Sequence, residues 1–321
     1  MGGRDFAAME RCVITIMGIF VVDLAFQTRY LPAWGETVLG SDFRMGPGGK
    51  GSNQAIAAAR LGGNVSFVSR VGKDTFGDLA FKTYAQEGVG TEFLIADAAH
   101  ATGAAAILIE EGKGENAIVV TPGAASALTP EDVDRAQARI AESAVFMTQL
   151  ELPVPVVEHG LRLAHECGVR TILNPAPACK LEDAVFALCD YLTPNESEAA
   201  LLTGLAVTSV SDAERAAEQL LSRGARNVIV TLGAKGALVK NSEITEHVAA
   251  YNAGAVVDTT GAGDAFNAGL ALGLSEGMDL LRAVRFGCAV GAISVTRPGT
   301  APSMPKRDAV ERLMALANRR I

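Results

Sequence analysis

The chain of 321 residues lacks several features that would point to particular classes of protein. It has no run of basic residues and a net charge of -8, which argues against nucleic-acid or anionic-membrane partners, because such binding rests on clustered Lys and Arg. Its longest apolar run, Val13 to Val22, is too short for a membrane helix, which needs about 20 residues. We therefore interpret this run as the first buried strand and expect a cytoplasmic protein.

Cysteine and histidine patterns that would bind a metal are also missing. The five cysteines are scattered without a CxxC pair, and the four histidines have no metal-ligand spacing with them. The sequence therefore predicts structural thiols and ordinary histidines.

Residues 1–11 lack the apolar core of a signal peptide. We expect them to form a disordered N-terminal extension in which Met9 could be the true start. Residues 12–321 then form a single domain, since no repeat or low-complexity linker divides them.

Apolar, β-rich runs alternate with amphipathic stretches along the chain. Examples are Val65 to Val71 before Phe76 to Glu87, Val145 to Met147 before Pro155 to Cys167, and later Asn227 to Thr231. This alternation predicts an α/β fold whose mostly parallel sheet is covered on both faces and binds ligands at the carboxyl ends of its strands.

Two regions interrupt the alternation, at about residues 22–45 and 103–120. Neither has a pattern of helix length, and the second resembles a hairpin around Gly112 and Gly114. We expect them to form a small separate β-sheet, either a lid over the strand ends or a surface for a second subunit.

Residues Val256 to Leu272, VVDTTGAGDAFNAGLAL, predict a phosphate site with an acid beside it. Val256 and Val257 suit a short buried strand, Gly261 and Gly263 allow a tight turn, and a helix follows. The free N–H groups of the first turn of that helix favour an anion, and Asp264 lies where it can take a proton.

Residues Gly46 to Leu61, GPGGKGSNQAIAAARL, form a second glycine-rich segment before a helix that Ser52 or Asn53 could cap. Read literally it satisfies GxGxxG, but SDFRM is a poor buried strand for a dinucleotide fingerprint. A Walker A loop would need Ser or Thr after Lys50. The segment therefore favours a loop whose amides, with Lys50 and Asn53, approach a polyhydroxylated substrate. A solvated glycine turn is the alternative.

Together these segments resemble the two signatures of the PfkB, or ribokinase-like, carbohydrate kinases. Five further matches occur in order along the chain: WGETVLG from Trp34, LNPAPA from Leu173, TPNESE from Thr193, TLGAKG from Thr231 and VTRPGTAPS from Val295. The resemblance implies a ribokinase-like three-layer sandwich with a β lid that often mediates homodimers.

The resemblance also implies roles for particular residues. Asp264 would be the catalytic base for a sugar hydroxyl that attacks the γ-phosphate of ATP, and Gly261, Ala262 and Gly263 would form an anion hole. The helix terminus contributes roughly 0.3 to 1 kcal/mol, so we expect it to keep Asp264 ionised without making it a strong base, and Asp264 to act mainly by position. Substrate-binding positions would be Asp23, Gly48, Gly49, Lys50, Asn53, Glu151 and Asp264.

On the nucleotide side, the resemblance assigns Asn195 and Glu198 to Mg²⁺ and the phosphates through water. The expected ATP contacts are Asn195, Thr231, Gly233, Gly236, Gly263, Asn267 and Cys288. A monovalent cation, K⁺, would be held by oxygens of Asp258, Thr260, Ser294, Arg297, Gly299 and Ser303, several of them from the backbone. The alternative is that Asp258 only caps its own turn.

One substrate position departs from the family pattern. Two residues before Asp23, where the family usually has Asn, this chain has Val21. An unpaired polar contact in a closed site costs about 1 to 3 kcal/mol, which is enough to change the preferred sugar. We expect D-ribose, giving ribose 5-phosphate, ahead of a deoxy or otherwise altered pentose or another small sugar. A non-catalytic sugar-binding regulator and a nicotinamide-dependent oxidoreductase are remote alternatives.

Overall fold

Two β-sheets organise the chain, which a computed structural model describes for residues 13–112 and 116–318. The expected extension of residues 1–11 lies outside these ranges. The larger sheet contains nine strands. They are β1 Val13–Met17, β4 Asn64–Gly72, β5 Gly90–Asp97, β8 Val145–Gln149, β9 Arg170–Asn174, β10 Tyr191–Leu192, β11 Asn227–Thr231, β12 Ala237–Lys240 and β13 Thr245–Val248.

The larger sheet has the spatial order β13-β12-β11-β10-β9-β8-β1-β4-β5 and is parallel from β5 to β11, whereas β12 pairs antiparallel with both β11 and β13. Side chains of one strand alternate between two cores. Val145 and Met147 enter one hydrophobic cluster, and Phe146 between them enters the other. Helices therefore cover both faces, as an apolar parallel sheet requires, and the predicted fold class is confirmed.

Eleven helices are described in these ranges. They are α1 Lys50–Arg60, α2 Thr75–Glu87, α3 Pro130–Asp134, α4 Gln137–Glu142, α5 Val154–Glu166, α6 Asp183–Phe186, α7 Glu196–Thr203, α8 Val210–Ser222, α9 Ala262–Ser275, α10 Leu280–Ser294 and α11 Arg307–Asn318. Helices α1, α9 and α10 belong to the first core, whereas α5 and α8 belong to the second.

The smaller sheet contains β2 Val21–Thr28, β3 Asp42–Gly48, β6 Thr102–Glu110 and β7 Asn116–Gly123, in the order β3-β2-β6-β7. β6 and β7 are antiparallel, as the hairpin pattern predicted. SDFRM contributes to β3 as an exposed lid strand, not as a buried one. Thus the segments that lacked helical periodicity pair with one another outside the main sheet.

The run Val13 to Val22 is not one strand, as its composition suggested, but two. β1 ends at Met17, and β2 begins at Val21 in the other sheet. Gly18 lies at the break, where a Cβ would lie 2.4 Å from Gln149 Oε1 and 2.8 Å from Gly51 Cα. The prediction was wrong because an apolar run does not reveal that close backbone approach at one glycine directs the chain out of the sheet.

The expected strand at Val256 and Val257 is also wrong. Both side chains are exposed, by 66% and 59%, and the segment is a loop joined by a hydrogen bond from Val257 N to Val295 O at 2.8 Å. β-propensity expresses how well a side chain packs on a pleated surface, and the larger sheet already ends at β13. Valine alone therefore did not make a strand.

Within the described ranges, no helix combines the length and the apolar character needed to cross a membrane.

Candidate active site

The glycine loop between β3 and α1 brings the lid against the start of that helix. Gly49 precedes α1 with φ of +90°, and no side chain caps the helix. The expected capping by Ser52 or Asn53 is wrong, because the helix starts at Lys50 and buries both residues inside it. A Cβ on Gly48 would lie 2.1 Å from Asp23 Oδ1, so only glycine leaves room for that carboxylate.

Two carboxylates lie at this end of α1. The Lys50 N–H donates to Glu151 Oε2 at 2.8 Å, and the Thr300 hydroxyl donates to Asp23 Oδ2 at 3.3 Å. Burial raises the pKa of Asp23 to about 6, assisted by the charge of Asp264 and opposed by the Thr300 bond. Burial also raises the pKa of Glu151 to about 7, against the charge of Lys50. Both acids are therefore poorly solvated and offer oxygens to a polar ligand.

The Lys50 ammonium is held in its charged form by these acids. Burial lowers its pKa, but the charges of Asp264, Glu151 and Glu198 outweigh burial, and the net shift is upward. One cation thus lies among three carboxylates, where it can also meet the charge of a phosphoryl group.

Asp264 lies in the first turn of α9 and is only 6% exposed. Its Oδ2 accepts from Asn53 Nδ2 at 3.0 Å, and its Oδ1 accepts from Gln54 Nε2 at 3.1 Å. Burial raises the pKa of Asp264, and the charge of Lys50 and the two amides offset this only in part. The expectation that Asp264 would not be made a strong base is therefore corrected: burial dominates, and the raised pKa makes the group a stronger base than an exposed aspartate.

The turn before α9 presents backbone N–H groups beside Asp264. Gly261 has φ of +79° at the start of the helix, and nothing lies within 4 Å of where a Cβ on Gly263 would be. The Ala262 N–H donates to Thr259 O at 3.2 Å. Among residues 13–112 and 116–318, no backbone carbonyl accepts a hydrogen bond from the Gly263 N–H. Gly263 is therefore the more available donor of the predicted anion hole.

A cleft of about 130 Å³ adjoins this turn. It brings together many of the predicted positions: Lys50, Asn195, Glu198, Thr231, Gly261, Ala262, Gly263, Asp264 and Asn267. The other predicted nucleotide positions, Gly233, Gly236 and Cys288, do not line it. Cys288 is buried within α10, and a Cβ on Gly236 would lie 2.0 Å from Val248 O, so Gly236 closes a turn. The predicted ATP contacts of Gly233, Gly236 and Cys288 stay a prediction.

Asn195 and Glu198 form a reciprocal capping box at α7. Asn195 Oδ1 accepts from the Glu198 N–H, and Glu198 Oε2 accepts from the Asn195 N–H, both at 2.8 Å. Glu198 also lines the cleft, and burial raises its pKa despite the charge of Lys50. In the described ranges no cluster of three or more His, Cys, Asp and Glu could hold a metal alone. One carboxylate fits Mg²⁺ only with phosphate and water completing its shell.

Asp258 joins two loops of the predicted cation site. Its carboxylate accepts from Thr260 N and from Gly299 N, each at 2.9 Å, and Gly299 has φ of +84°. Burial raises the pKa of Asp258, but these hydrogen bonds outweigh it and hold the pKa below the usual value. An ionised carboxylate between two turns fits a cation that takes oxygen ligands.

The remaining predicted cation ligands, Ser294, Arg297 and Ser303, lie at the last residue of α10 and in the segment that follows it. The Arg297 N–H donates to Ser294 O at 3.2 Å, and the Ser303 hydroxyl donates to Thr300 O at 2.7 Å. The Arg297 guanidinium is a cation with no acceptor atom, so any ligand from this residue would be its backbone carbonyl.

Residues 13–307 match the family model described as pfkB family carbohydrate kinase. The chain belongs to this family. The PfkB chain is 39% identical to a ribokinase of Haemophilus influenzae over 298 residues, which is 93% of this chain and 97% of the relative. It is 35% identical to a deoxyribokinase of Salmonella typhi over 304 residues, covering 94% and 99%. The predicted family and sugar-kinase activity are therefore confirmed.

Solved structures give the same result for the fold of this PfkB kinase. A structure of Arabidopsis thaliana ribokinase, described as complexed with ribose and ATP, has a TM-score of 0.87 and 28% identity, covering 94% of this chain and 98% of that one. A ribokinase of Thermotoga maritima has a TM-score of 0.86 and 35% identity, covering 94% and 99%.

Several residues of this PfkB kinase's site had no predicted role. The cleft also contains Asn174, Ala176, Thr193 and Thr259, whereas Gln54 and Thr300 contact Asp264 and Asp23. Asn174, Thr193 and Thr300 lie inside the motifs LNPAPA, TPNESE and VTRPGTAPS. The contacts of Gln54, Thr193 and Thr300 could not be found from the sequence because each bonds to a residue distant along the chain.

Proposed function

We propose that this kinase transfers the γ-phosphate of ATP to D-ribose and forms ribose 5-phosphate. The observation that carries the proposal is the position of Asp264: a buried carboxylate with a raised pKa, in the first turn of α9, beside the open N–H of Gly263. The ribokinases among its relatives support ribose as the first candidate. The expected cytoplasmic location stays a prediction.

In the proposed reaction the sugar hydroxyl gives its proton to Asp264 while its oxygen bonds to the γ-phosphorus. The bond from that phosphorus to the β-phosphate oxygen breaks, and ADP leaves. Lys50 and the Gly263 N–H stabilise charge on the transferring phosphoryl oxygens, which is where most of the catalytic effect arises in phosphoryl transfer. Asp23, Asn53 and Glu151 would hold the sugar hydroxyls.

Bound Mg²⁺ would neutralise charge on the nucleotide phosphates. Glu198, one of whose carboxylate oxygens is not used by the capping box, would hold it through water, with Asn195 beside it. Asp258 and the backbone between Ser294 and Ser303 would hold a monovalent cation, which would steady the turn before α9.

A coupled ADP-release assay tests the activity. D-ribose, 2-deoxy-D-ribose, hexoses and nucleosides are each given with ATP and Mg²⁺, and we expect the highest kcat/KM with ribose. Binding of a sugar with no sugar-dependent ADP release would instead favour the non-catalytic regulator.

A deoxypentose is the second candidate, because Val21 offers no hydrogen bond. Val21 lies two residues before Asp23 on β2, on the same face of that strand, and is 1% exposed. Deoxyribokinases are also among the relatives of the chain.

Substitution at this position separates the two candidates. Val21→Asn should raise the kcat/KM ratio of ribose over deoxyribose by roughly 5- to 30-fold, which corresponds to about 1 to 2 kcal/mol for one hydrogen bond. Val21→Ala removes volume without adding a polar group and should leave the ratio unchanged. An equal kcat/KM ratio of ribose over deoxyribose in Val21→Asn and Val21→Ala would show that the residue at this position does not bind the hydroxyl that distinguishes the two sugars.

We also propose a homodimer through the lid. One face of the lid exposes large apolar side chains that a single chain leaves in water: Phe26, Phe43, Met45 and Val119. Exposed apolar surface of this kind marks interaction sites. Light scattering should give twice the chain mass, and Val119→Lys should shift it toward a single chain; a single-chain mass for the unaltered protein would contradict the dimer.

A further inference from the structure

A chain of buried amides reaches Asp264 from α1 and from the ends of β8 and β9. We propose that Gln54, itself held by Gln149, is a positioning residue that fixes the Asp264 carboxylate for proton transfer. This proposal rests on the proposed role of Asp264 as the base. It adds two residues for which neither the sequence pattern nor the family motifs gave a role.

The amide of Gln54 is fully hydrogen-bonded, whereas the buried Oε1 of Gln149 has no hydrogen-bond partner among the described residues. Gln54 is fully buried, and its Nε2 lies 3.1 Å from Asp264 Oδ1 and 3.2 Å from Asn174 Oδ1. Gln149 is 1% exposed, and its Nε2 donates to Gln54 Oε1 at 2.6 Å. Both N–H groups and the oxygen of the Gln54 amide are therefore engaged by side chains from three different parts of the chain.

The direction of these hydrogen bonds follows from chemistry. An ionised carboxylate only accepts, so the NH₂ group of Gln54 must face Asp264 and its oxygen must face away. Gln149 supplies the N–H that this oxygen needs. If the Gln54 amide turned over, its oxygen would face the oxygens of Asp264 and Asn174, and its NH₂ would face that of Gln149, so three contacts would become repulsive. Gln149 thus selects the orientation of Gln54.

Gln149 is itself confined by two glycines. A Cβ at Gly18 or at Gly51 would lie 2.4 Å or 2.7 Å from Gln149 Oε1. Gly18 follows β1, Gly51 lies in α1, and Gln149 ends β8. The close approach of β1, α1 and β8 therefore encloses the amide of Gln149.

The other end of the chain reaches the sheet. Asn174, at the end of β9, accepts from Gln54 and donates from Nδ2 to Thr193 O at 3.1 Å. Asp264 is consequently held through Asn53 and Gln54 of α1 and, through Asn174, by the ends of the central strands. The helix that begins with Lys50 thus carries both proposed sugar contacts and the support of the base.

Removal of this support should act on the chemical step. Without Gln54, one oxygen of Asp264 has no donor, so the carboxylate can rotate and its charged form loses stabilisation. A small misplacement of a catalytic group costs up to about 100-fold in rate. Sugar contacts through Asp23, Lys50 and Glu151 do not depend on this amide.

The test compares Gln54→Met and Gln149→Met with the unaltered kinase. Met keeps most of the side-chain volume and removes the amide. We expect Gln54→Met to lower kcat roughly 10- to 100-fold with little change in the KM for sugar, and to move the acidic limb of the kcat pH profile upward. Gln149→Met should act in the same direction but less strongly.

Gln219→Met is the matched control. Gln219 is half-buried in α8, and its amide donates to Thr203 O at 3.1 Å, in a different helix of the opposite core. This variant should show unaltered kcat and an unaltered pH profile. Loss of activity in Gln54→Met that follows only its folded fraction, with an unmoved pH limb, would overturn the proposal.

A second readout does not need turnover. Carbon NMR of aspartate carboxyls, assigned through Asp264→Asn, should show a higher pKa for Asp264 in Gln54→Met than in the unaltered protein. An equal pKa in both would also overturn the proposal. Absence of sugar-dependent ADP release in the unaltered protein would instead refute the proposed function and leave the NMR comparison to decide the role of Gln54.

Discussion

Replacement of Asp264 by Asn tests the proposed base more sharply than any other change. The two carboxylate oxygens each accept an amide, from Asn53 and from Gln54, at 3.0 and 3.1 Å. Asparagine has one oxygen and one NH₂ group, so one of the two contacts must become donor against donor. The variant therefore loses a proton acceptor and one of two hydrogen bonds, although its shape is almost unchanged.

Structure indicates how large each effect should be. A positioned general base contributes about 10² to 10⁴ in rate, and this should be the fall in kcat. The lost hydrogen bond should cost about 1 to 3 kcal/mol of stability. Because Asp264 is buried and burial raises its pKa, a neutral side chain avoids a desolvation cost that partly offsets this loss. We expect the variant to fold and to bind sugar and ATP.

The direction in which the rate changes with pH also depends on Asp264. Asp264 acts only when ionised, so the rate of the unaltered kinase should fall as the pH falls through the pKa of this carboxyl. That pKa is raised above its ordinary value of 3.8, so the limb should lie above the range of an exposed aspartate. Residual activity of Asp264→Asn should lack this limb.

The assay is coupled ADP release from pH 4.5 to 8, with sugar and ATP binding measured by calorimetry. Asp183→Asn is the matched control, because that carboxylate is exposed on the surface and paired with Arg223. Turnover of Asp264→Asn near that of Asp183→Asn, or an acidic limb that persists in Asp264→Asn, would refute the assignment of the base.

Two other predictions follow from single contacts. Gly48→Ala would place a Cβ 2.1 Å from Asp23 Oδ1, and about 1 to 3 kcal/mol of strain should raise the sugar KM roughly tenfold or more while the ATP KM changes little. Gly46→Ala is the control, because nothing lies within 4 Å of the Cβ that it would add. Equal sugar KM values in the two variants would contradict the steric argument. Activity should depend on K⁺, and Asp258→Asn should lose that dependence, because it replaces the charged carboxylate that accepts the Gly299 N–H with a neutral amide. Unchanged activity when a bulky organic cation replaces K⁺ would count against the site.

Local patterns predicted the helices and the strands buried on both faces. The amphipathic stretch from Phe76 became α2 from Thr75 to Glu87, and Asn227 to Thr231 became β11 within the same bounds. These elements could be predicted because their side-chain periodicity reflects the two faces that each one buries.

Patterns failed where a contact with distant residues decides the outcome. Val13 to Val22 divides between two sheets at Gly18, and Val256 with Val257 forms a loop beside Val295. Apolar composition was the same as in a buried strand in both places. Whether the backbone of each segment pairs with a neighbouring strand depends on where the surrounding helices and strands lie.

The sequence by itself determined the α/β class and the kinase family and predicted Asp264 as the base, since glycine turns and acids at fixed spacing are local properties. Tertiary structure alone decided what surrounds that acid. Burial raises its pKa, and the amides of Asn53 and Gln54 reach it from more than 200 positions away in the chain. Solvent exclusion and long-range hydrogen bonds depend on how layers pack, and no local pattern records them.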